Sequence, residues 1–213
     1  MDDKQAYQIV KQAWKELHGR EGTPAELVLA QAIQRFETAY GRAGQFAAMA
    51  AQGKYNWGAL ERGRNSDGSC PAGTEPGIDA GNARCFFVYP SDVSAAKASL
   101  YVLTKADGAH ANRTRATLAA LGSGDPYAVA KAMRTSPAYY EGFGSTEAEK
   151  VHAYGSAIEK NAEVIQASLG IPSLSSPVSS LRKAVGVLLL LAGVGVVGYA
   201  WSGPKVLKYF AKF

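Results

Sequence analysis

The chain has 213 residues and a formal net charge of +5, which is enough length for one domain and an appendage. The charge is uneven: five basic and no acidic residues lie from Ile171 onward, which leaves 18 of each sign in residues 1–170. That neutral part has no cluster of Lys and Arg interleaved with aromatic residues, which argues against a nucleic-acid partner.

The first predicted element is an amphipathic helix that carries Ile9, Val10 and Trp14 on one side. It follows the acidic start Met1–Gln5 directly, and no secretory signal precedes it. A chain that acts outside the cytoplasm then needs another route, such as export through its C-terminal segment or transport inside a particle. Of these two routes, we favour transport inside a particle.

The second predicted helix has a start signal and a stop signal in the sequence. Thr23 to Glu26 form a capping box with Pro24 at the first helical position, and Gly41 is a natural stop. Apolar residues recur between them at helical spacing, so they are expected to share one stripe. They are Leu29, Ile33, Phe36 and Tyr40.

Glu37 lies beside this stripe in the last turn of the predicted helix. Apolar neighbours and the negative end of the helix dipole both predict a raised pKa for its carboxyl group. A carboxyl group that keeps its proton near neutral pH is suited to general acid catalysis. On the helix pattern alone, a solvated glutamate is the commoner interpretation.

Residues 62–90 are rich in Gly, Pro, Asn and Asp, and they predict a small β or loop lobe. Cys70 and Cys85 lie within it. A bridge between them would stabilise the lobe by roughly 3 kcal/mol and would fit an extracytoplasmic protein. Two free thiols in a reducing compartment are the alternative. The cysteines and the three scattered histidines lack ligand spacing, so we predict no metal and no cofactor.

The chain after Ser91 predicts four more helices, because apolar residues recur with a period near 3.6. Their ranges are Val93–Leu103, Arg113–Leu121, Tyr127–Met133 and Thr146–Gln166. Thr146 and Glu149 form a second capping box at the start of the last one. The predicted fold class is therefore mostly α, with one small β or loop lobe.

The C-terminal part predicts a membrane anchor. Residues 171–183 form a Ser/Pro-rich linker, and residues 184–203 are uncharged and close to the ~20 residues that cross a bilayer. Residues 204–213 form a basic tail. A buried core helix is the alternative, but such helices rarely run this far without a charge. The predicted organisation is thus a domain at 1–170, linker, transmembrane helix and tail.

Two motifs in the N-terminal half resemble a known class of enzymes. Glu37-Thr38-Ala39-Tyr40-Gly41, followed by Asn56-Trp57-Gly58-Ala59, is similar to the lysozyme-like superfamily, and within it to the glucosaminidase family of flagellar, autolysin and phage wall-cutting proteins. Phe86–Ser91 and Tyr154–Ile158 resemble later parts of that family's pattern more loosely. The threonine expected after the family's tyrosine is missing, since Glu141 follows Tyr140.

The resemblance implies an α+β lysozyme-like fold and a peptidoglycan hydrolase that cleaves β-1,4 glycan bonds, with Glu37 as general acid. The enzyme would be an endo-β-N-acetylglucosaminidase, or of the muramidase or lytic transglycosylase type. A second carboxylate would come from the lobe: Glu75 and Asp79 are the first candidates, with Glu61 and Asp67 behind them. Alternatively, the substrate's own N-acetyl group assists, or a lytic transglycosylase route uses one acid only.

The resemblance also suggests how the substrate is held. The candidate substrate-binding residues are Asn56, Trp57 and Tyr140. Asn56 would bind the acetamido group of a sugar and Tyr140 would contact sugar, while for Trp57 packing under the catalytic helix is the favoured role. The expected partners are peptidoglycan glycan strands, a lipid bilayer at 184–203 and other virion or tail proteins. The enzymatic domain would be periplasmic on a membrane anchor, or carried in by a particle such as a phage virion or an injection machine, which is the route we favour. The rival function is a non-catalytic structural component of a virion or tail that binds wall or plugs a channel.

Overall fold

Helices make up most of the structure. The computed structural model describes residues 1–79, 82–140 and 144–173. The α-helices in these residues are α1 (Asp3–His18), α2 (Pro24–Thr38), α3 (Gln45–Ala51), α4 (Asp92–Thr104), α5 (Ala111–Ser123), α6 (Pro126–Met133) and α7 (Glu147–Leu169). Three strands, β1 (Glu61–Arg62), β2 (Thr74–Asp79) and β3 (Asn82–Phe87), lie between α3 and α4. The prediction of a mostly α fold with a small β lobe is confirmed.

Capping boxes set the starts of α2 and α7, as the sequence predicts. Thr23 Oγ1 accepts a hydrogen bond from the Glu26 main-chain N–H at 3.2 Å, and Glu26 Oε2 accepts one from the Thr23 N–H at 2.8 Å. Thr146 and Glu149 make the same reciprocal pair at the start of α7. These bonds satisfy N–H groups that the first turn of a helix leaves without intrahelical partners.

The end of α2 differs from the prediction. The helix ends at Thr38, and Ala39 and Tyr40 both adopt left-handed backbone conformations, with φ of 46° and 61°. Tyr40 therefore does not continue the helical stripe. Its hydroxyl donates to Asp3 Oδ1 at 2.6 Å and accepts from Gln31 Nε2 at 3.0 Å, so bonds to two helices hold the turn.

The hydrophobic core surrounds α2. Its central residues from Leu27 to Ile33 are buried, and the helix packs against α1, α5 and α7. Helices α6 and α7 also pack closely, and Gly155 of α7 makes this possible. A Cβ atom at Gly155 would lie 2.6 Å from Cδ1 of the Tyr127 ring on α6, so no side chain fits there.

The strands form an antiparallel sheet with the order β1-β3-β2. Glu61 pairs with Phe86, and Pro76 pairs with Cys85. The prediction for residues 71–82 is a loop or short hairpin, because the segment shows no periodicity, and the hairpin is confirmed by the antiparallel pairing of β2 with β3. As an edge strand, β2 tolerates Pro76. A disulfide joins Cys70 to Cys85, with their Cα atoms 5.5 Å apart.

The predicted anchor at 184–203 and the tail at 204–213 lie outside the described residues, as does the linker beyond residue 173. Within the described ranges, no helix combines the length and apolar character that crossing a bilayer requires. The described residues belong to one compact unit, Met1–Leu174, whose end lies close to the predicted domain end at residue 170.

Candidate functional site

The two motifs singled out in the sequence meet at the end of α2. Thr38 Oγ1 donates to the main-chain oxygen of Trp57 at 2.9 Å and accepts from the Gly41 N–H at 2.8 Å. From the other side, the Tyr139 hydroxyl donates to the main-chain oxygen of Gly58 at 3.4 Å. One threonine thus ties the loop at residues 56–60 to the helix turn that carries Glu37.

The Glu37 carboxyl group is half-buried and borders the buried phenol of Tyr154 and the partly buried Tyr139. Its Oε1 atom accepts a hydrogen bond from the Tyr154 hydroxyl, which α7 contributes. Burial and the nearby charge of Glu37 raise the pKa of Tyr154 and of Tyr139 well above the usual value. Both phenols therefore keep their protons at neutral pH, and Tyr154 is available as a stable hydrogen-bond donor to the carboxyl group.

Tyr154 is itself enclosed by aromatic rings. The Tyr140 ring stacks on it with centroids 3.9 Å apart and planes 15° apart, and Phe36 meets it edge-on at 5.2 Å. The Tyr140 hydroxyl donates to the main-chain oxygen of Ala130 at 3.2 Å, and burial raises the pKa of this phenol to about 12. Tyr140 is half-buried beside the site, and its predicted contact with sugar stays a prediction.

The Asn56 side chain is buried and makes its hydrogen bonds within the fold. It is 1% exposed, and its Nδ2 donates to the main-chain oxygens of Leu60 and Phe87 at 2.8 and 3.0 Å. Its Oδ1 accepts from the N–H groups of Gly58 and Leu60. The expected bond to an acetamido group is thus corrected: the amide is consumed within the fold, where it joins the loop at residues 56–60 to β3.

Trp57 takes the packing role that was expected of it. The side chain is 0% exposed, and its ring centroid lies 5.3 Å from that of Tyr40 just after α2. Its Nε1 donates to Asp92 Oδ1 at 2.8 Å, and Arg42 donates to both oxygens of the same carboxylate. Trp57 therefore anchors the loop to α4. Its prediction as a substrate-binding residue is wrong, because the buried side chain has no surface for substrate.

The candidate second carboxylates lie in the β lobe. Glu75 Oε1 is paired with Lys54 Nζ at 2.8 Å, and Glu61 lies 3.7 Å from Arg84. Asp67 accepts from the hydroxyl and N–H of Ser69 and so closes its own turn. Asp79 ends β2, and its side chain lies outside the described residues. The contacts of Glu75 and Asp67 are accounted for by the structure of the lobe.

An open, largely apolar groove of about 650 Å³ lies between β3 and α4. Its lining includes Leu60, Phe87, Tyr89 and Tyr101 but neither Glu37 nor the tyrosines around it. In the described part of the chain, no group of three or more His, Cys, Asp and Glu side chains is arranged to hold a metal ion.

Comparison of the chain with protein-family models, with curated proteins and with solved structures finds no match in any of the three. The arrangement around Glu37 is therefore the feature of the molecule that points to a function. Two members of that arrangement, Tyr139 and Tyr154, were not assigned to the site from the sequence. Tyr154 had a local signal, its helical spacing from Ile158, but nothing in its neighbourhood indicates a partner 117 residues away.

Proposed function

We propose that the chain is a lysozyme-like peptidoglycan hydrolase of the glucosaminidase type, which cleaves β-1,4 glycan bonds with Glu37 as general acid. One observation carries this proposal. The carboxyl group of Glu37, at the end of a buried helix, is bonded to a buried phenol and adjoins the loop at residues 56–60 that the resemblance pairs with it.

The chemistry requires a proton for the leaving oxygen and stabilisation of a positively charged sugar ring. Glu37 supplies the proton and becomes a carboxylate as the bond breaks. The hydrogen bond from Tyr154 then has a charged acceptor, and such bonds are roughly twice as strong as neutral ones. The bond becomes stronger only as negative charge develops on Glu37 during the reaction. It therefore stabilises the transition state more than the ground state, which lowers the activation free energy.

Backbone strain beside the acid supports a functional role. Ala39 and Tyr40 follow Glu37 almost directly, and Ala59 lies in the adjoining loop with φ of 50°. Left-handed conformations of residues other than Gly cost on the order of 1 kcal/mol each and cluster at functional sites. Both segments that flank Glu37 therefore hold conformations that local sequence preference does not explain.

The second group of the reaction is best supplied by the substrate. Glu75 is held by Lys54, so a role as base or nucleophile would require that ion pair to open. A route in which the N-acetyl group assists, or in which a lytic transglycosylase step forms an anhydro product, needs one protein carboxyl group only. Mass spectrometry of the released fragments distinguishes these routes, because the anhydro product lacks the added water.

The test of the proposal is clearing of a peptidoglycan gel by the full chain in detergent, compared with Glu37→Gln. The amide keeps the shape and loses the transferable proton, so we expect activity to fall by roughly 10²–10⁴-fold. Glu21→Gln, at an exposed salt bridge with Lys15, is the matched control and should clear the gel normally. Equal clearing by Glu37→Gln would remove Glu37 from the mechanism. A parent chain that binds wall without cutting it would favour the structural role in a virion or tail.

The proposed enzyme is anchored by residues 184–203, on the basis of their uncharged composition and flanking basic residues. The full chain should then float with liposomes, while a chain ending at Ser173 should not. Full-length protein that stays soluble without detergent and does not float would exclude the anchor and leave the activity of the domain open to its own test.

A further inference from the structure

Arg134 lies at one end of a line of contacts that leads to Glu37. It caps the C-terminal end of α6, and its side chain is 13% exposed. Nε and Nη2 donate to the two carboxylate oxygens of Glu147 at 2.9 and 2.6 Å. Glu147 is the first residue of α7, so this bidentate pair joins the end of α6 to the start of α7.

The same guanidinium group holds Tyr140 in two ways. Nη1 donates to the main-chain oxygen of Tyr140, and the guanidinium carbon lies 5.4 Å from the centroid of the Tyr140 ring. The second contact is within the range of a cation–π interaction. The Tyr140 ring stacks on Tyr154, whose hydroxyl donates to Glu37. Each link of this series is a direct contact.

We infer that Arg134 is a positioning residue that orients the Glu37 carboxyl group through the stacked rings of Tyr140 and Tyr154. It acts at a distance from the reacting atoms, and its part in catalysis rests on the proposed function. Lysine cannot replace it, because an ammonium group keeps the charge but lacks the planar fork that binds Glu147 and Tyr140 together. Geometry, rather than charge, is what Arg134 contributes.

The first test does not depend on any activity. The δ-carboxyl groups of glutamate are labelled with ¹³C in the full chain in detergent, and the Glu37 signal is assigned by its loss in Glu37→Gln. In Arg134→Lys the donor from Tyr154 should move off the carboxylate, which raises the apparent pKa of Glu37. The charge is conserved in this variant. The neighbouring phenols of Tyr139 and Tyr154 do not titrate in that range.

Two further variants accompany this measurement: a control and a second perturbation of the same contact. Arg115→Lys is the control, because Arg115 is exposed and donates to the nearby Asn112 side chain, so the Glu37 titration should stay unchanged. Glu147→Gln weakens the anchor of Arg134 without altering Arg134 itself, and the Glu147 side chain is 65% exposed, so the fold should tolerate it. We expect a smaller shift in the same direction. If Arg134→Lys and Glu147→Gln both leave the Glu37 titration at the parent's value, the inference is wrong.

The second test asks whether Arg134 acts through Tyr154. Arg134→Lys should lower kcat on the order of 10-fold with little change in KM, because a misplaced acid affects the chemical step. In a Tyr154→Phe background the same change should have no further effect, and fully multiplicative effects would contradict the proposed route. If the parent chain cuts no glycan, the proposed function fails, while the Glu37 titration still decides whether Arg134 positions the carboxyl group.

Discussion

The helical body around α2 and the β lobe are stabilised in different ways. Residues such as Trp14, Leu29 and Ile33 in the body are completely buried, and α2 packs against α1, α5 and α7. In the lobe, both residues of β1 are exposed, and the buried part of β3 is largely Cys85 and Phe86. The body holds together by apolar packing, whereas the lobe depends on a disulfide and a few specific bonds. The proposed acid belongs to the rigid body, which suits a group that must be held in one orientation.

The two regions are joined by Asn56, so its replacement is the most damaging change we predict. Asn56→Ala removes four hydrogen bonds to main-chain groups of Gly58, Leu60 and Phe87 and should lower the free energy of unfolding by about 4 kcal/mol. Chemical denaturation followed by circular dichroism measures this loss. Asn65→Ala, in the exposed part of the lobe, is the control, and an equal effect of the two would refute the joining role.

Removing the disulfide should affect the lobe and spare the body. The bridge closes a loop with a sequence separation of 15, so Cys70→Ala with Cys85→Ala should cost the lobe about 3 kcal/mol. Hydrogen exchange should then accelerate in β2 and β3 while α2 stays protected. Uniform acceleration throughout both regions would mean that they unfold as one unit and that the contrast between them is wrong.

A pH-dependent effect is expected within the body. His18 joins α1 to α4 through Thr104 Oγ1 at 3.0 Å, and burial, followed by the charges of Arg20 and Lys105, lowers its pKa despite the opposing charge of Glu26. The unfolded chain therefore binds more protons below the ordinary value of 6.5, and stability falls as pH falls through it. Between pH 7 and 5.5 this loss is at most about 1.3 kcal/mol.

Unfolding measured at these two pH values tests the assignment. His18→Gln keeps a polar partner for Thr104 and should remove most of the difference, whereas His110→Gln, at an exposed position, should leave it intact. A difference that survives in His18→Gln would place the titrating group elsewhere.

The smallest expected effect is at Glu75. Because the ion pair with Lys54 is substantially exposed, Glu75→Gln should change stability by less than about 1 kcal/mol. On the one-acid route, the rate of wall cleavage should stay within about 3-fold of the parent's. Glu21→Gln, at an exposed position outside the lobe, serves as the control. A loss as large as that of Glu37→Gln would make Glu75 the second catalytic carboxylate and would bring the lobe into the chemistry.

Features encoded by neighbouring residues could be predicted from the sequence. The start of α2 follows from Thr23, Pro24 and Glu26 within one turn, and the capping box at Thr146 locates α7 in the same way. Features that depend on contacts between distant parts of the chain could not be predicted in this way. The stop at Gly41 was wrong because bonds from the Tyr40 hydroxyl to α1 and α2 hold a left-handed turn that starts earlier.

The residues of the candidate site show the same difference between local motifs and tertiary contacts. Glu37 and the loop at residues 56–60 were predicted as a pair, because both carry short motifs with a recognisable resemblance. Their surroundings were not, since Tyr154 reaches Glu37 through the packing of α7 against α2, and Tyr139 comes from the segment that follows α6. The amide of Asn56 was assigned to substrate because a sequence does not show which main-chain groups need a partner.

Gly155 has a consequence for how this protein can vary among relatives. Successive residues of a helix point about 100° apart, so the contact of Gly155 with Tyr127 sets the rotation at which α7 presents Tyr154 to Glu37. A larger residue at position 155 would turn or lift α7 unless the ring at 127 became smaller. We therefore expect positions 127 and 155 to covary in homologous sequences, with Gly155 kept wherever an aromatic residue faces it.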